Sequence, residues 1–204
     1  TIRAKRGPKL PVVLTVEEVR QLFSCMEGRQ LLIAQIIYGA GLRLMELARL
    51  RVKDIDFGSG LIFVRASKGD KDRSTILPGA VREPLQQHLT EVKALHNQDL
   101  AKGFGEVHLP DALGRKYPNA PKDWVCQYVF PSSKLSVDPR SGIVRRHHMD
   151  ETSIQKAVGT ATRKAGIAKQ VSVHTLRHYA EFRIMPSTGL SGLSILGLAI
   201  SHSA

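Results

Sequence analysis

The sequence predicts a mixed α/β fold that is mainly helical and carries a small β-hairpin sheet. Several stretches place apolar residues at the spacing of amphipathic helices, and two short runs rich in β-branched residues flank a turn-like segment. Hydrophobic residues make up 42% of the 204 residues, which is enough to bury a sizeable core. We therefore expect one main domain.

The N-terminal residues predict an arm followed by a helix. Residues 1–14 are basic and contain two prolines, which favours an extended linker. Thr15 then precedes a periodic apolar stretch, and Glu18 stands three residues after it, which is the pattern of a capping box at a helix start. The main domain is therefore predicted to begin at residue 15.

Two further helical stretches bring an arginine and a glutamate together. Residues 30–38 are largely apolar and are followed by glycines that predict a helix end, and helical spacing resumes over residues 42–50. This spacing places Arg43 and Glu46 three residues apart on one helical face. In isolation such a pair is most often a surface ion pair.

A β-hairpin is predicted next in the chain. Residues 61–66 and 74–77 have strand character, residues 67–72 between them are turn-like, and Lys68 lies near the tip. In isolation Lys68 would be a solvated hairpin residue. A helix should follow with Pro84 in its first turn, where proline disturbs no intrahelical hydrogen bond.

The second half of the chain predicts an insertion, two helices and an atypical tail. Helical periodicity fades over residues 97–146, where prolines and glycines recur. It returns over residues 150–165, and Ser172 is the predicted N-cap of a last helix. Residues 179–204 follow no regular pattern. We therefore assign residues 15–178, with the insertion inside them, to the main domain.

The composition favours a polyanionic partner. Thirty Lys and Arg residues against eighteen Asp and Glu residues give a net charge of +12 and an isoelectric point near 10.0, which points first to nucleic acid. A merely soluble basic surface is the alternative. Two cysteines without the spacing of a metal site or a disulfide framework predict a cytoplasmic location. The apolar stretches are too short to predict a membrane partner.

Three motifs, taken together and in this order, resemble the catalytic domain of the tyrosine recombinases. They are GLRLMEL at residues 41–47, SKGDKDR at residues 67–73 and HTLRH at residues 174–178. They match that family's arginine in a GLRxxEL motif, its hairpin lysine and its HxxR helix start. Each motif alone is a weak signal, but their joint order is specific.

Within the insertion the chain is similar to the integron integrases of that family. The blocks that carry this similarity are LPDAL at residues 109–113, RKYP at 115–118, QYVFP at 127–131 and RRHH at 145–148. The resemblance implies site-specific DNA recombination, with integration and excision of gene cassettes in the intact family. It also implies a bacterial, nucleoid-associated protein.

The resemblance assigns a role to each charged residue of the motifs. Attack on a DNA phosphodiester builds negative charge on the non-bridging oxygens, and a site without a metal must meet that charge with fixed cations. Arg43 and Arg177 would hold the scissile phosphate bidentately. Lys68 would protonate the departing 5′-oxygen, His174 would hydrogen-bond the phosphate, and Glu46 would orient the basic groups. No metal or other cofactor is expected.

The family's nucleophile is a tyrosine near the C-terminus, which forms a 3′-phosphotyrosyl intermediate. No tyrosine follows Tyr179 in this sequence, and Tyr179 stands two residues after Arg177, a poor position for in-line attack on a phosphate that this arginine holds. His202 is a weak match for the family's second histidine. We therefore predict that this chain lacks the nucleophile and does not cleave DNA.

The insertion supplies a second group of candidate DNA-binding residues. In the integron integrases that the chain resembles, this block receives bases extruded from a folded single strand. The candidates by that resemblance are Arg115, Lys116, Tyr117, Trp124, Arg145, Arg146, His147 and His148. The alternative is that the aromatic residues only pack the insertion onto the core, which we favour for Tyr128.

Two other functions remain open from the sequence. A non-catalytic DNA-binding remnant of a recombinase would fit the missing tyrosine. A type IB topoisomerase-like enzyme would share the arginine, lysine and histidine chemistry, but the insertion disfavours it. His174 and His178 have the spacing of metal ligands, but a third ligand in a suitable setting is lacking.

The expected partner is DNA, either a duplex or a folded single-stranded recombination site. In the intact family the protein would act as a homo-oligomer on DNA. The atypical tail predicts a monomer or a dimer for this chain, because the C-terminal segment of related recombinases docks onto a neighbouring protomer.

Overall fold

The computed structural model describes residues 12–65, 72–109 and 116–177. Outside these ranges lie several residues that the sequence singled out: Lys68, Arg115, His178, Tyr179 and His202. Within the ranges, no helix is both long enough and apolar enough to cross a bilayer.

Helix α1 (Val16–Ser24) begins at the predicted capping box. The Thr15 hydroxyl accepts a hydrogen bond from the Glu18 backbone N–H at 3.2 Å, and Glu18 Oε2 accepts one from the Thr15 backbone N–H at 2.6 Å. These reciprocal bonds satisfy N–H groups that a helix start leaves without intrahelical partners. The helix buries Val19 and Leu22 in the core.

Helix α2 (Gly28–Ala40) is largely buried, and helix α3 (Leu44–Ala48) follows it after a tight turn. Gly41 makes this turn in the left-handed conformation, with φ of 65°. The prediction of helical structure throughout residues 42–50 is therefore wrong, because the left-handed glycine redirects the chain. Arg43 is extended instead, with φ of −70° and ψ of 151°, and is the N-cap of α3.

An antiparallel sheet with the order β1-β2-β3 is formed by β1 (Ile55–Asp56), β2 (Leu61–Val64) and β3 (Arg73–Ile76). The β2–β3 pair confirms the predicted hairpin, and Val64 pairs with Arg73 where the hairpin loop begins. β2 buries Ile62 and Val64 in the core, which anchors the hairpin to the helices.

Helix α4 (Gly79–Ala101) is longer than predicted at both ends. It begins well before Pro84, which therefore lies in its interior rather than in its first turn. It also continues past residue 97, where the apolar periodicity fades, because its last turns bury the polar residues His96 and Asp99. The helix thus extends into the stretch that the sequence assigned to the insertion.

The described part of the insertion beyond α4, residues 102–109 and 116–146, contains short elements that are hydrogen-bonded to the main domain. These elements are 3₁₀ turns at Ala120–Lys122 and Trp124–Cys126 and a hairpin of β4 (Ser136–Val137) and β5 (Val144–Arg145). Backbone hydrogen bonds from Val52 N–H to the Gln127 carbonyl (3.0 Å) and from Val129 N–H to the Leu50 carbonyl (2.8 Å) join it to the chain after α3.

Helix α5 (Glu151–Lys164) packs against α1 and α2, and residues 173–177 form the last described helical segment. Asp150 caps α5 with a side-chain hydrogen bond to a backbone N–H at 2.9 Å. Ser172 caps the last segment as predicted, since its hydroxyl accepts from the Thr175 N–H at 3.2 Å. The architecture confirms a mixed α/β fold that is mainly helical.

Candidate active site

Arg43 is held in place by Glu46 rather than by a helix of its own. The Arg43 backbone N–H donates to Glu46 Oε2 at 2.8 Å, and Arg43 Nη1 donates to Glu46 Oε1 at 2.6 Å. The carboxylate therefore fixes both the main chain and the side chain of the arginine. The Arg43 side chain remains 38% exposed, so that its guanidinium reaches the surface.

Arg73, on strand β3, forms an ion pair with the same carboxylate. Its Nη2 donates to Glu46 Oε2 at 2.6 Å. The sequence analysis missed this residue, although it closes the SKGDKDR motif. One signal was available, because the strand period places Arg73 and Thr75 on the half-buried face and Ser74 and Ile76 on the exposed one. A cation that faces inward usually has a carboxylate partner.

Glu46 is ionised in the folded protein. Burial of its carboxyl opposes ionisation, but the hydrogen bonds from the Arg43 backbone and side chain and the positive charge of Arg73 outweigh burial and lower the pKa of Glu46 below its usual value of 4.5. The carboxylate is 8% exposed. Two guanidinium groups thus surround one carboxylate, which leaves a single net positive charge at this site.

The turn at Gly41 is where distant segments meet. Arg177 Nε donates to the Gly41 carbonyl oxygen at 3.1 Å, and the Thr75 hydroxyl donates to the neighbouring Ala40 carbonyl at 2.8 Å. The structure therefore brings the HTLRH motif and strand β3 to the backbone that leads into Arg43. The motifs were grouped by their resemblance to one family, and in the structure they share contacts with this turn.

His174 lies in the first turn of the helical segment that contains Arg177, and it is solvent-exposed. Residues three apart on a helix are neighbours on its surface, so both side chains belong to the same face. Lys68 lies outside the described residues, but the strands on either side of it pair from Leu61–Ile76 to Val64–Arg73. Its role as a general acid remains a prediction.

Two of the arginines predicted to bind DNA in the insertion, Arg145 and Arg146, form ion pairs with carboxylates. Arg146 forms a bidentate pair with Asp99 at 2.5 and 2.9 Å, and its Nη1 donates to the Ser132 carbonyl at 2.8 Å. Arg145 pairs with Asp138 at 2.6 Å. The two arginine side chains are only 12% and 16% exposed. In the described conformation they brace the insertion.

His147 and His148, the two histidines predicted to bind DNA, contact the ring of a buried tyrosine, one tilted and one edge-on. The His147 and His148 rings lie 4.0 Å apart, and both are within 5.7 Å of the Tyr128 ring. Burial and the nearby His148 lower the pKa of His147. Arg51 covers the same tyrosine at 4.6 Å and donates to the Cys126 carbonyl. Tyr128 is 6% exposed, which agrees with the packing role favoured for it.

The remaining aromatic candidates differ in exposure. Trp124 packs partly against the core, with His96 at 6.1 Å and the Lys93 ammonium at 5.9 Å from its ring. Tyr117 is 51% exposed, and the Lys116 ammonium lies 5.4 Å from its ring. The exposed Tyr117 ring therefore offers a surface on which a base could stack, next to the Lys116 ammonium. The Trp124 ring is only partly exposed, because it also packs against the core.

Within residues 12–65, 72–109 and 116–177, no three His, Cys, Asp or Glu side chains converge on a common point that could hold an ion. His148 contacts the His147 ring at 4.0 Å, and His148 and His96 each form a hydrogen bond with a backbone carbonyl group.

Solved structures of recombinases share this fold. The crystal structure of XerA recombinase superposes with a TM-score of 0.57 at 25% sequence identity and covers 92% of this chain and 54% of that chain. The XerH site-specific recombinase bound to a palindromic difH substrate superposes with a TM-score of 0.53 at 21% identity, over 88% of this chain and 43% of that one. The fold is that of a tyrosine recombinase catalytic domain.

Residues 12–188 match the Phage integrase family, and the chain belongs to this family. A protein from Escherichia coli named Integrase/recombinase is 46% identical over 176 residues, which are 86% of this chain and 52% of that protein. The chain thus spans about half the length of the curated relatives it matches. The family predicted from the three motifs is confirmed, and the integron type stays a prediction.

Proposed function

We propose that this chain is the phosphate-binding catalytic region of a site-specific DNA recombinase. The observation that carries the proposal is the turn at Gly41, which leads into Arg43 and accepts the hydrogen bond from Arg177. The net charge of +12 and the membership of the Phage integrase family support DNA as the partner.

In this proposal two guanidinium groups meet the charge of the scissile phosphate. A guanidinium carries five N–H donors in a planar fork, and Glu46 accepts from one of those of Arg43, at Nη1. Arg43 and Arg177 then stabilise the charge that grows on the non-bridging oxygens during attack. His174 hydrogen-bonds the same phosphate, and Lys68 protonates the leaving 5′-oxygen.

A second candidate function is DNA binding without cleavage. It is favoured by the position of Tyr179, which stands two residues after Arg177, a poor position for in-line attack on a phosphate that this arginine holds. The arginines would still bind the phosphate, but no side chain of this polypeptide would attack it. Cleavage through a 3′-phosphotyrosyl intermediate would then require a tyrosine supplied in trans by a complete partner.

The integron type is the finer part of the proposal, with integration and excision of gene cassettes at folded single-stranded sites. Tyr117 and Lys116 are the best placed residues to receive an extruded base, because the ring is half-exposed beside a cation. Trp124 would contribute its exposed part, while Arg145 and Arg146 would hold the insertion in shape through their carboxylate pairs. The other proposed DNA contacts of the insertion are Arg115, His147 and His148.

We extend the proposal to assembly and location. The recombinase would act as a homo-oligomer on DNA in the bacterial cytoplasm, in association with the nucleoid and without a cofactor. The polypeptide of 204 residues is expected to be a monomer or a dimer, because its last residues do not resemble the segment that docks protomers in related recombinases.

The test compares the loss of one arginine charge at the proposed phosphate site with the same loss at an exposed position away from it. The dissociation constant for a fluorescent duplex is measured at one salt concentration for Arg43→Ala, Arg177→Ala and the control Arg20→Ala, an exposed residue of α1 that pairs with Glu17 at 2.7 Å. Each site variant should bind about tenfold more weakly, as expected for a lost charged hydrogen bond, on unrelated DNA sequences alike. Site variants that bind as well as Arg20→Ala would overturn the proposal.

A further inference from the structure

Resting on the proposed function, we propose that Arg73 is a positioning residue for the contact between Arg43 and the DNA phosphate. Arg73 would act through Glu46, by neutralising the carboxylate and fixing its position. It would thereby keep the positive charge of Arg43 available to DNA without itself holding the phosphate.

The geometry puts Glu46 at the centre of a three-residue cluster. Its Oε2 accepts from Arg73 Nη2 at 2.6 Å and from the Arg43 backbone N–H at 2.8 Å, while its Oε1 accepts from Arg43 Nη1 at 2.6 Å. The carboxylate is 8% exposed, whereas the two arginine side chains are 38% and 34% exposed. The two guanidinium groups therefore lie between the buried carboxylate and the solvent.

Arg73 is held at this position by its strand. It pairs with Val64 across the hairpin, and Thr75, two residues further along the same face, donates to the Ala40 carbonyl at 2.8 Å. Strand β3 therefore touches the Gly41 turn next to the point where its arginine contacts Glu46. This double attachment fixes the distance between the hairpin and α3.

The charges of the cluster give Arg73 a role in DNA binding. Arg43 and Glu46 alone form a neutral pair, and the carboxylate would repel an approaching phosphate at close range. With Arg73 the cluster carries one net positive charge. If Arg73 only neutralises the charge of Glu46, it is no longer needed once Glu46 is replaced by a neutral residue. If Arg73 binds DNA itself, it is still needed in that variant. These two roles can therefore be separated by mutation.

A similar ion pair on the same hairpin provides a matched control. Arg65 Nε contacts Asp54 Oδ1 at 2.6 Å, and Asp54, like Glu46, is a buried carboxylate that caps a backbone N–H, that of Arg51. Its carboxylate does not contact Arg43. Arg65→Ala therefore removes the same type of charge from the same hairpin without acting on the proposed site.

The experiment is a rescue cycle read out as the dissociation constant for a fluorescent duplex at fixed salt. The variants are Arg73→Ala, Glu46→Gln, their combination and the control Arg65→Ala, with thermal denaturation to verify folding. Arg73→Ala should weaken binding about tenfold, and the combination should return to within about threefold of the wild type. Arg65→Ala should change binding by about twofold at most.

A lysine substitution keeps the inference testable if Arg73→Ala does not fold. Arg73→Lys preserves the charge that cancels Glu46 and should bind within about threefold of the wild type, whereas Arg43→Lys loses the planar fork and should bind about tenfold more weakly. The inference is overturned if the combined variant is as weak as Arg73→Ala, or if Arg73→Lys is as weak as Arg43→Lys. If Arg43→Ala itself binds normally, the proposed function fails instead.

Discussion

Arg177 donates a hydrogen bond from Nε to the carbonyl oxygen of Gly41 at 3.1 Å, across 136 residues of sequence. Gly41 is left-handed, with φ of 65°, and the chain reaches Arg43 two residues later. One glycine therefore joins the two arginine motifs that lie furthest apart in the sequence.

Gly41→Ala should weaken both folding and DNA binding. A side chain in the left-handed region costs about 1–2 kcal/mol, and relaxation of this strain would shift the turn that leads into Arg43 and whose carbonyl accepts from Arg177. The matched control is Gly142→Ala, because Gly142 has φ of 69° and no atom lies within 4 Å of the added Cβ. We expect both variants to lower the free energy of unfolding in urea, but only Gly41→Ala to lower DNA affinity. Equal DNA affinity in the two variants would contradict the role of the turn.

Acid should remove the stabilisation that Glu46 provides. Its pKa in the folded protein lies below the usual 4.5, because hydrogen bonds from Arg43 and the charge of Arg73 outweigh burial. The ionised carboxylate therefore stabilises the fold above about pH 4.5, and this contribution is lost as the pH falls through the lower folded-state pKa.

The measurement is the midpoint of thermal unfolding from neutral to acidic pH for the wild type and Glu46→Gln. The variant should be less stable at neutral pH, and the difference should shrink as the solution becomes acidic. Glu17→Gln, which removes a carboxylate from the exposed pair with Arg20, controls for general charge effects. A constant difference between wild type and Glu46→Gln at every pH would show that this carboxylate does not stabilise the cluster by its charge.

Sequence patterns predicted local structure better than the contacts between distant segments. The capping box of α1 and the β2–β3 hairpin follow from residue spacing, and both are observed. The backbone conformation of Arg43 was harder to predict. Its pairing with Glu46 was expected and is observed, but the left-handed Gly41 places Arg43 before the helix rather than inside it. A local pattern does not reveal how a glycine turns the chain.

Two further features depend on tertiary contacts, which a single sequence does not show. Arg73 meets Glu46 only after the hairpin packs beside α3, so the SKGDKDR motif drew attention to its lysine alone. The end of α4 was placed too early because its last turns bury Asp99, whose partner Arg146 comes from the far end of the insertion. Polar residues in a buried helix face erase the apolar period.

Tyr117 and Trp124 should respond differently to truncation. Both variants are tested on a hairpin with unpaired bases and on a fully paired duplex of the same stem. If the insertion receives extruded bases, the wild type should prefer the hairpin, and Tyr117→Ala should lose about 1–3 kcal/mol of that preference without a change in stability. Trp124→Ala should also lower the unfolding free energy, because its ring packs on the core. Equal affinity for both substrates in all three proteins would remove the extruded-base proposal.

This polypeptide is expected to form no covalent DNA intermediate, because Tyr179 stands two residues after Arg177 and is poorly placed for in-line attack on the phosphate. The assay incubates it with a suicide substrate nicked near the cleavage position and separates the products on a denaturing gel, with a full-length family member as the positive control. Only the control should yield a protein–DNA adduct. An adduct from this polypeptide that disappears in Tyr179→Phe would identify Tyr179 as the nucleophile.

The most direct test of the phosphate site is the salt dependence of DNA binding. Fluorescence anisotropy with a labelled duplex gives the association constant over a series of salt concentrations, for the wild type and for the double variant Arg43→Ala with Arg177→Ala. We predict that the logarithm of the constant falls linearly with the logarithm of salt concentration, and that the slope of the double variant is shallower by about 1, the value for one lost phosphate contact. An affinity that does not depend on salt, or the same slope in both proteins, would contradict this prediction.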